Sequence, residues 1–373
     1  MDAPDFSLFL CGDVMTGRGI DQILPHPSDP LIHESYIRNA IDYVTLAERV
    51  NGPIPRAVSD DYIWGEALHM LDQMTPDKRI VNLETSVTTS DNWMPKGINY
   101  RMNPRNISCL TRARIDCCTL ANNHVLDWGP EGLDETLSTL KKVGIQTAGA
   151  GLNLRDAQSP AILKVPDKGN ILVFAAGTYS SGIPPEWAAH PDRPGVNFIP
   201  ELSFATQDDF LKSFRNLVAE YKTDNALVVF SIHWGGNWGY DIPPEHRHFA
   251  HRLIDEAGVD IVHGHSSHHV MGLELYKGKL ILYGCGDFLN DYEGIGGYEE
   301  FRGDLSLMYF PKADKESGRT TELKMVPTRI HRFQLRRAEA EDARWITNLL
   351  NREGEALGTR FRLAEDLTLS LIL

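Results

Sequence analysis

The chain has 373 residues, of which 42% are hydrophobic and 24% are charged. This composition is ordinary for a folded protein and excludes extensive disorder. The formal net charge is −14 at pH 7, so repulsion disfavours nonspecific binding to nucleic acid or to an anionic membrane. We expect no nucleic-acid partner. An anionic substrate stays compatible with this charge, because a bound metal ion inverts the local field.

The N-terminal residues 1–5 are acidic and lead directly into an apolar run, whereas a signal peptide starts with basic residues and an apolar segment. No stretch approaches the roughly 18 apolar residues of a membrane span. The five cysteines form no C-x-x-C pair, which is typical of small buried residues in a reducing compartment. These features predict a cytoplasmic protein with no membrane span.

Apolar runs and helical patterns alternate along the chain. Runs that are apolar on both faces predict buried strands over residues 6–11, 79–83, 115–120, 161–165, 170–176, 226–232, 259–263 and 279–284. Apolar residues at helical spacing predict helices over residues 131–143, 205–221 and from Pro243-Pro244 to before Gly258. Residues 25–64 and 178–203 are rich in proline and are expected to form long loops. The alternation indicates an α/β fold.

The last part of the chain departs from this alternation. Residues 305–310 and 322–330 are predicted to form an antiparallel pair, and residues 338–352 a closing helix. We therefore predict a catalytic domain over residues 1–333 and a C-terminal helical extension over residues 334–373 that packs on the same domain.

Polar side chains follow several of the predicted strands at the point where each strand ends. Residues just past the carboxyl ends of strands gather along one edge of an open α/β sheet, where ligands bind. Carboxylate, amide and imidazole groups suit hard or borderline divalent ions such as Mn, Zn, Fe, Mg or Ca. The sequence therefore predicts one metal site, with one or two ions. Its candidate ligands are Asp13, Glu84, Asn123, His233, His265 and His268.

Each candidate has a simpler interpretation when it is considered alone. An Asp after a strand is often a turn residue or a helix cap, and a single buried His is more often a satisfied core residue than a ligand. Arg18 is the basic residue closest in sequence to Asp13 and could bind a phosphate group of a substrate. Its simpler interpretation is a residue on the surface of a helix. It is the recurrence of six such residues at successive strand ends that favours the metal site.

The motifs around these residues resemble the bacterial capsule-synthesis CapA (poly-γ-glutamate) family, a branch of the calcineurin-like metallophosphoesterase fold. The resemblance covers roughly residues 8–290 in family order. It is carried by the segments Gly12-Asp13-Val14-Met15, Asn82-Leu83-Glu84-Thr85, Ala121-Asn122-Asn123-His124-Val125-Leu126-Asp127-Trp128-Gly129, His233-Trp234-Gly235, Gly264-His265-Ser266-Ser267-His268 and Tyr283-Gly284-Cys285-Gly286-Asp287-Phe288. It implies a four-layered α/β/β/α sandwich with a metal site at one edge of its two sheets.

The resemblance also implies roles for individual residues. It assigns metal-ligand positions to the six candidates above, a catalytic position to His124, and the orientation of that imidazole to Asp127. This sequence departs from the pattern at Met15, where a His ligand is usual, and at Asp287, where Asn is common. Asp287 is therefore open as a substitute ligand, an additional catalytic acid/base group or a turn residue.

Three functions remain open. The first is a metal-dependent hydrolase acting on a peptide or a poly-γ-glutamate-like substrate, with His124 protonating the leaving group. The second is a metal-assisted peptide Cα epimerase, in which two of Asp13, His124, His265 and Asp287 exchange the proton. The third is a module without activity that binds capsule polymer or a synthase. The membrane anchor of typical family members has no counterpart in this sequence, which favours a peptide or small anionic substrate. We also expect that the protein can form a homodimer.

Overall fold

The computed structural model describes residues 5–373. The prediction that no signal peptide begins the chain concerns residues 1–4, which lie outside the described residues. Within the described part, none of the helices combines the length and the apolar character that crossing a bilayer requires. All five cysteines are buried and unpaired.

Helices and strands alternate through most of the chain. The helices are α1 (Ile41–Asn51), α2 (Glu66–Met74), α3 (Ser108–Arg112), α4 (Gly129–Lys142), α5 (Leu154–Gln158), α6 (Gln207–Tyr221), α7 (Pro244–Ala257) and α8 (Ala340–Gly354). The strands are β1 (Phe6–Val14), β2 (Lys78–Leu83), β3 (Ser86–Val87), β4 (Arg101–Met102), β5 (Cys117–Thr119), β6 (Gln146–Ala148), β7 (Ala150–Gly151), β8 (Ala161–Val165), β9 (Gly169–Thr178), β10 (Gly195–Val196), β11 (Phe198–Ile199), β12 (Leu227–His233), β13 (Ile261–His265), β14 (Leu273–Tyr276), β15 (Lys279–Leu282), β16 (Asp287–Leu289), β17 (Leu305–Ala313), β18 (Thr320–His331), β19 (Gln334–Arg337), β20 (Phe361–Leu363) and β21 (Leu369–Leu371).

Two sheets form the body of the protein. The larger, ten-stranded sheet has the order β20-β21-β18-β17-β1-β2-β5-β6, with β16 beside β1 and β19 beside β18. The smaller, seven-stranded sheet has the order β11-β9-β12-β13-β15-β14, with β8 beside β9. Strands β1, β2, β5 and β6 are parallel to one another, as are β9, β12 and β13. Each sheet thus has a parallel centre whose strand ends lie along one edge.

Strand β12 shows how alternation builds the layers. Val228, Phe230 and Ile232 pack in one apolar cluster with helices α6 and α7, whereas Leu227 and Val229 belong to the cluster that includes the larger sheet. Successive side chains of a strand point to opposite faces, so the smaller sheet is buried on both. Helices α2 and α4 contact β19 and β6 of the larger sheet. The predicted four-layered α/β/β/α arrangement agrees with this packing.

The predicted elements agree with the observed ones to within a few residues, with three differences. Residues 178–203, expected as a loop, contain the short strands β10 and β11, which pair with β7 and β9. Residues 25–64, expected as a loop, contain helix α1, which buries Tyr43, Val44 and Ala47. The segment 334–373, expected as a helical extension, contains helix α8 together with three short strands. Strands β19 and β21 pair with β18, so this segment continues the larger sheet. Its strands are too short for their alternation to be recognised in the sequence.

Candidate metal centre

The carboxyl ends of the central strands bring the predicted ligands to one edge of the two sheets. Asp13 is the penultimate residue of β1, Glu84 directly follows β2, and Asn123 lies in the turn after β5. His233 and His265 are the last residues of β12 and β13, and they are paired side by side in the register of those strands. Five of the six predicted ligands therefore converge from five strands, as the strand-end argument expects.

The side-chain atoms of these residues are close enough to share one ion. The ligand atoms of Asp13, His233 and His265 all lie within 4.8 Å of one another. The Nδ1 atom of His265 is 3.8 Å from Oδ1 of Asp13 and 2.7 Å from Nδ1 of His233. The Nε2 atom of His233 is 3.1 Å from Oδ1 of Asn123 and 3.8 Å from Oε1 of Glu84. The donor set is mixed oxygen and nitrogen, which first-row divalent ions accept.

The charges at the centre fit a bound cation. Burial raises the pKa of Asp13 to about 7, against the opposing effect of its hydrogen bond with Glu84. Burial and the neighbouring Asp13 charge likewise raise the pKa of Glu84. Among residues 5–373, no Arg or Lys lies within ion-pair distance of either carboxylate, and only histidines do. Two buried carboxylates without a counter-ion are costly, and a divalent cation would supply the missing charge.

A chain of buried hydrogen bonds fixes which nitrogen of His265 faces the centre. The Nε2 atom of His263 lies 2.7 Å from the carbonyl oxygen of Cys11 and must donate to it. Because burial lowers the pKa of His263 to about 4 and keeps its Nδ1 an acceptor, the Ser231 hydroxyl donates its one proton to that Nδ1 or to Oγ1 of Thr119, each 3.2 Å away. The Ser231 oxygen in turn accepts from Nε2 of His265 at 2.8 Å. The lone pair of His265 is thus at Nδ1, on the ligand side.

Asparagines that the sequence analysis did not select hold the carboxylates in position. The amide of Asn82 donates to Oδ1 of Asp13 at 2.7 Å, and the amide of Asn122 donates to Oδ1 of Asn82 at 3.0 Å. The backbone N–H of Ser266 donates to the other oxygen of Asp13 at 3.2 Å. Asn82 is two residues before Glu84, so in an extended strand the two side chains lie on the same face. This spacing is the sequence signal that could have identified Asn82.

His124 borders the ligand cluster. Its Nδ1 lies 2.7 Å from Oδ2 of Asp127, which also accepts from the backbone N–H of Tyr100 at 2.6 Å. Its Nε2 lies 3.8 Å from Oε1 of Glu84. Burial lowers the pKa of His124 to about 4, although Asp127 acts in the opposite direction. The imidazole is therefore neutral at pH 7, with its Nε2 lone pair on the ligand side.

Lys96 is a charged neighbour of this pair that sequence reasoning missed. Its ammonium is 2.8 Å from Oδ1 of Asp127 and 3.3 Å from Nδ1 of His124, and it donates to the carbonyl of Asn123. Lys96 lies in the irregular segment between β3 and β4. No periodicity marks such a segment, so nothing in the sequence distinguished this lysine from the others.

His268 and Asp287 form a second His–Asp pair beside Asp13. The Nδ1 atom of His268 is 2.8 Å from Oδ1 of Asp287, and the amide of Asn290 donates to the other carboxylate oxygen at 2.8 Å. Burial lowers the pKa of His268, but the Asp287 charge outweighs it and raises the pKa overall. Met15 contacts the hydroxyl of Tyr292 through its sulfur at 3.7 Å. In the arrangement described, His268 is thus engaged with Asp287 and stands apart from the cluster of three.

Arg18 occupies a different environment from either of the two that were expected for it. It is buried, its guanidinium pairs with Glu34 at 2.9 Å and with Asp291 at 2.6 Å, and it lies over the ring of Tyr43 at 3.5 Å. The surface helix position is therefore wrong, and the guanidinium that was considered for a phosphate is already paired with two carboxylates. The two carboxylates come from distant parts of the chain, and the sequence around Arg18 gives no sign of them.

A four-layered α/β sandwich with histidines and carboxylates along one sheet edge defines the class as metallophosphoesterase-like. The family model described as "Bacterial capsule synthesis protein PGA_cap" matches residues 7–292. The chain belongs to this capsule-synthesis family.

Relatives with curated names agree with this family. A "Probable polyglutamine synthesis accessory protein" of Mycobacterium tuberculosis is 46% identical over 355 residues, which cover 95% of this chain and 92% of the relative. The "PGA biosynthesis protein CapA" of Bacillus subtilis is 26% identical, over 86% of this chain and 70% of the relative. The "Capsule biosynthesis protein CapA" of Bacillus anthracis is 25% identical, over 76% and 60%.

Proposed function

We propose that the protein is a metal-dependent hydrolase that acts on a peptide or a poly-γ-glutamate-like substrate. The observation that carries this proposal is the position of His124, whose Nε2 lies 3.8 Å from Oε1 of Glu84 in the ligand cluster. A neutral imidazole at the border of a metal centre suits proton transfer to a leaving group.

The ion would be held by Asp13, Glu84, Asn123, His233 and His265, with His268 as a sixth candidate. A divalent ion bound there supplies Lewis-acid chemistry, that is, polarisation of a substrate oxygen and a lowered pKa for a bound water. The protein keeps Asp13 oriented through Asn82 and keeps the His265 lone pair directed at the centre through Ser231.

His124 and Asp127 would handle the proton. Because Nδ1 of His124 donates to Asp127, Nε2 is the atom that accepts a proton from the nucleophile and returns it to the leaving group. Asp127 fixes this tautomer and stabilises the imidazolium that forms. Lys96 balances the charge of Asp127 and holds the carbonyl of Asn123.

The test uses metal-loaded protein in ¹⁸O-labelled water with two substrates, poly-γ-glutamate and a mixture of tryptic peptides. Mass spectrometry of the products is expected to find one ¹⁸O in each new carboxylate for the wild-type protein, and none above background for the His124→Gln variant. Cleavage that is equal in both proteins would contradict the role of His124. Absence of any cleavage would contradict the hydrolase.

A second candidate, Cα epimerisation of a peptide, is favoured by one observation. The protein has two His–Asp pairs near the centre: His124, paired with Asp127, lies 3.8 Å from Glu84, and the charges of the paired His268 and Asp287 influence the pKa of Asp13. Epimerisation needs one group that removes the Cα proton and another that returns one. The same incubation in D₂O distinguishes the two reactions, because epimerisation introduces deuterium at Cα without cleavage. If neither label is incorporated while poly-γ-glutamate still binds, a binding module is the remaining function.

A further inference from the structure

A cavity of about 420 Å³ is lined in part by His268 and Asp287, the His–Asp pair beside Asp13. This volume lies in the lower part of the range of about 300–1,000 Å³ that is typical of small-molecule pockets. It has room for one or two amino-acid residues and not for a length of polymer. A group bound in it would lie beside the second His–Asp pair.

One wall of this cavity is apolar and aromatic. Trp238 stacks on Tyr298 with ring centroids 4.3 Å apart and an angle of 6° between the planes. Ile295, Ile330 and Val50 complete the apolar lining. Tyr298 and Ile295 are 51% and 50% exposed, so apolar surface is open to solvent where a ligand could cover it. Covering such surface is favourable.

The two guanidiniums in the cavity are already occupied. Arg302 binds Asp304 through two contacts of 2.8 and 3.1 Å and binds Asp342 at 2.8 Å. Arg329 binds the same two carboxylates at 3.0 and 3.3 Å. Two cations thus face two anions, so neither guanidinium is free to bind a carboxylate of a ligand.

Two further carboxylates line the cavity, those of Glu293 and Glu299. Glu293 accepts from the backbone N–H groups of Arg332 and Phe333 at 2.8 and 2.6 Å, and Glu299 accepts from that of Gly297 at 2.9 Å. Neither carboxylate has an Arg or Lys partner among the ion pairs of residues 5–373. A ligand with several carboxylates, such as a γ-glutamate chain, would meet repulsion here.

From these contacts we propose that the cavity is a substrate subsite for an uncharged, apolar side chain of a peptide-like substrate. The inference rests on the proposed function and narrows it, because a γ-glutamyl residue does not suit this subsite. The metal centre would hold the reacting group, and the Trp238–Tyr298 wall would hold the neighbouring side chain.

The experiment measures binding by isothermal titration calorimetry, with two probes and with protein in both metal-free and metal-loaded forms. The probes are N-acetyl-leucyl-leucine amide, which is neutral and apolar, and γ-linked triglutamate. We expect the metal-free protein to bind the dileucine probe at least about tenfold more tightly than triglutamate. Tighter binding of triglutamate by the metal-free protein would overturn the inference.

Variants locate the binding. Ile295→Asp and Tyr298→Ala change half-exposed residues and should leave the fold intact, while weakening dileucine binding by about tenfold. Leu152→Asp is the matched control, because Leu152 is 47% exposed and does not line the cavity. Unchanged dileucine binding in Ile295→Asp would overturn the inference. Because this readout uses metal-free protein, it is independent of the ¹⁸O test. Absence of hydrolysis by the wild-type protein alone refutes the proposed function, and absence of dileucine binding by the wild-type protein alone refutes the subsite.

Discussion

The carboxylate of Asp127 holds the imidazole of His124 through a contact of 2.7 Å between Oδ2 and Nδ1. The same carboxylate accepts the backbone N–H of Tyr100 and binds the ammonium of Lys96. Two partners from the segment between β3 and β4 therefore hold this carboxylate, and the carboxylate in turn orients His124. The free Nε2 of that histidine is directed toward the ligand cluster at Glu84.

Replacing either member of this pair is expected to reduce turnover without removing the metal. We expect His124→Gln to lower kcat by about 10²–10⁴-fold, the usual contribution of a general acid or base, and Asp127→Asn to lower it by at least about tenfold. The measurement is the rate of ¹⁸O incorporation, with metal content determined in parallel. Asp134→Asn, on the exposed face of α4, is the control. Equal loss of metal and turnover would instead assign His124 to metal binding.

Removing a ligand should remove the ion. We expect Asp13→Ala and His233→Ala to lose divalent metal, measured by elemental mass spectrometry on protein purified without chelator. His190→Ala and Asp192→Ala change exposed residues of the same types and should keep the wild-type content. A chelator should lower the Tm of the wild-type protein, because an ion at 100 times its Kd stabilises the folded state by about 2.7 kcal/mol. Wild-type metal content in both ligand variants would contradict the assigned centre.

Ser231 should affect metal affinity although it is not itself a candidate ligand. Ser231→Ala removes the oxygen that accepts from Nε2 of His265, so the tautomer with its lone pair at Nδ1 is no longer enforced. Loss of such a partner typically weakens metal binding by about 10–100-fold. Competition titration with a chromophoric chelator measures this affinity. Ser213→Ala, on helix α6, serves as the control, and an unchanged affinity in Ser231→Ala would contradict the hydrogen-bond chain.

The buried ion pairs of Arg18 should contribute to the free energy of unfolding. Arg18→Met leaves Glu34 and Asp291 buried without their cation, and loss of one partner from a buried ion pair costs about 3–5 kcal/mol. Urea unfolding followed by circular dichroism measures this loss. Arg38→Met, at an exposed position, should change the free energy of unfolding by less than about 0.5 kcal/mol. A loss below about 1 kcal/mol in Arg18→Met would show that the network contributes little.

His246 should make stability depend on pH. Burial lowers its pKa to about 4 in the folded protein from the ordinary value of 6.5. As pH falls, the unfolded chain takes up this proton first, so the contribution is present above pH 6.5 and is lost as pH falls toward 4. Between pH 7.5 and 5.0 the free energy of unfolding should fall by about 2 kcal/mol from this group.

The comparison that isolates this effect uses His246→Phe, which keeps a ring against Trp234 and cannot titrate. Its loss of stability between pH 7.5 and 5.0 should be smaller than that of the wild-type protein by the stated amount. His248→Phe, on the exposed side of the same helix, should retain the wild-type loss. Identical pH dependence in wild type and His246→Phe would refute the assignment.

The sequence alone determined the α/β architecture and the placement of most of the candidate ligands at one sheet edge. Apolar runs mark the strands, and the polar residue after each run lies at the sheet edge because parallel strands end together. Asp13, Glu84, Asn123, His233 and His265 follow from that rule. That these residues lie close together can be predicted without knowing individual contacts, since neighbouring parallel strands end at the same sheet edge.

Only the tertiary structure decided how the remaining groups are partnered. Lys96 lies in an irregular segment and reaches Asp127 through the path of that segment. Arg18 binds Asp291, which is 273 residues away, and Ser231 links His265 to His263 between neighbouring strands. Local patterns arise from local backbone geometry, whereas the partner of a buried charge depends on which distant side chain packs against it. That packing, and with it the apolar cavity beside His268, is a property of the folded chain as a whole.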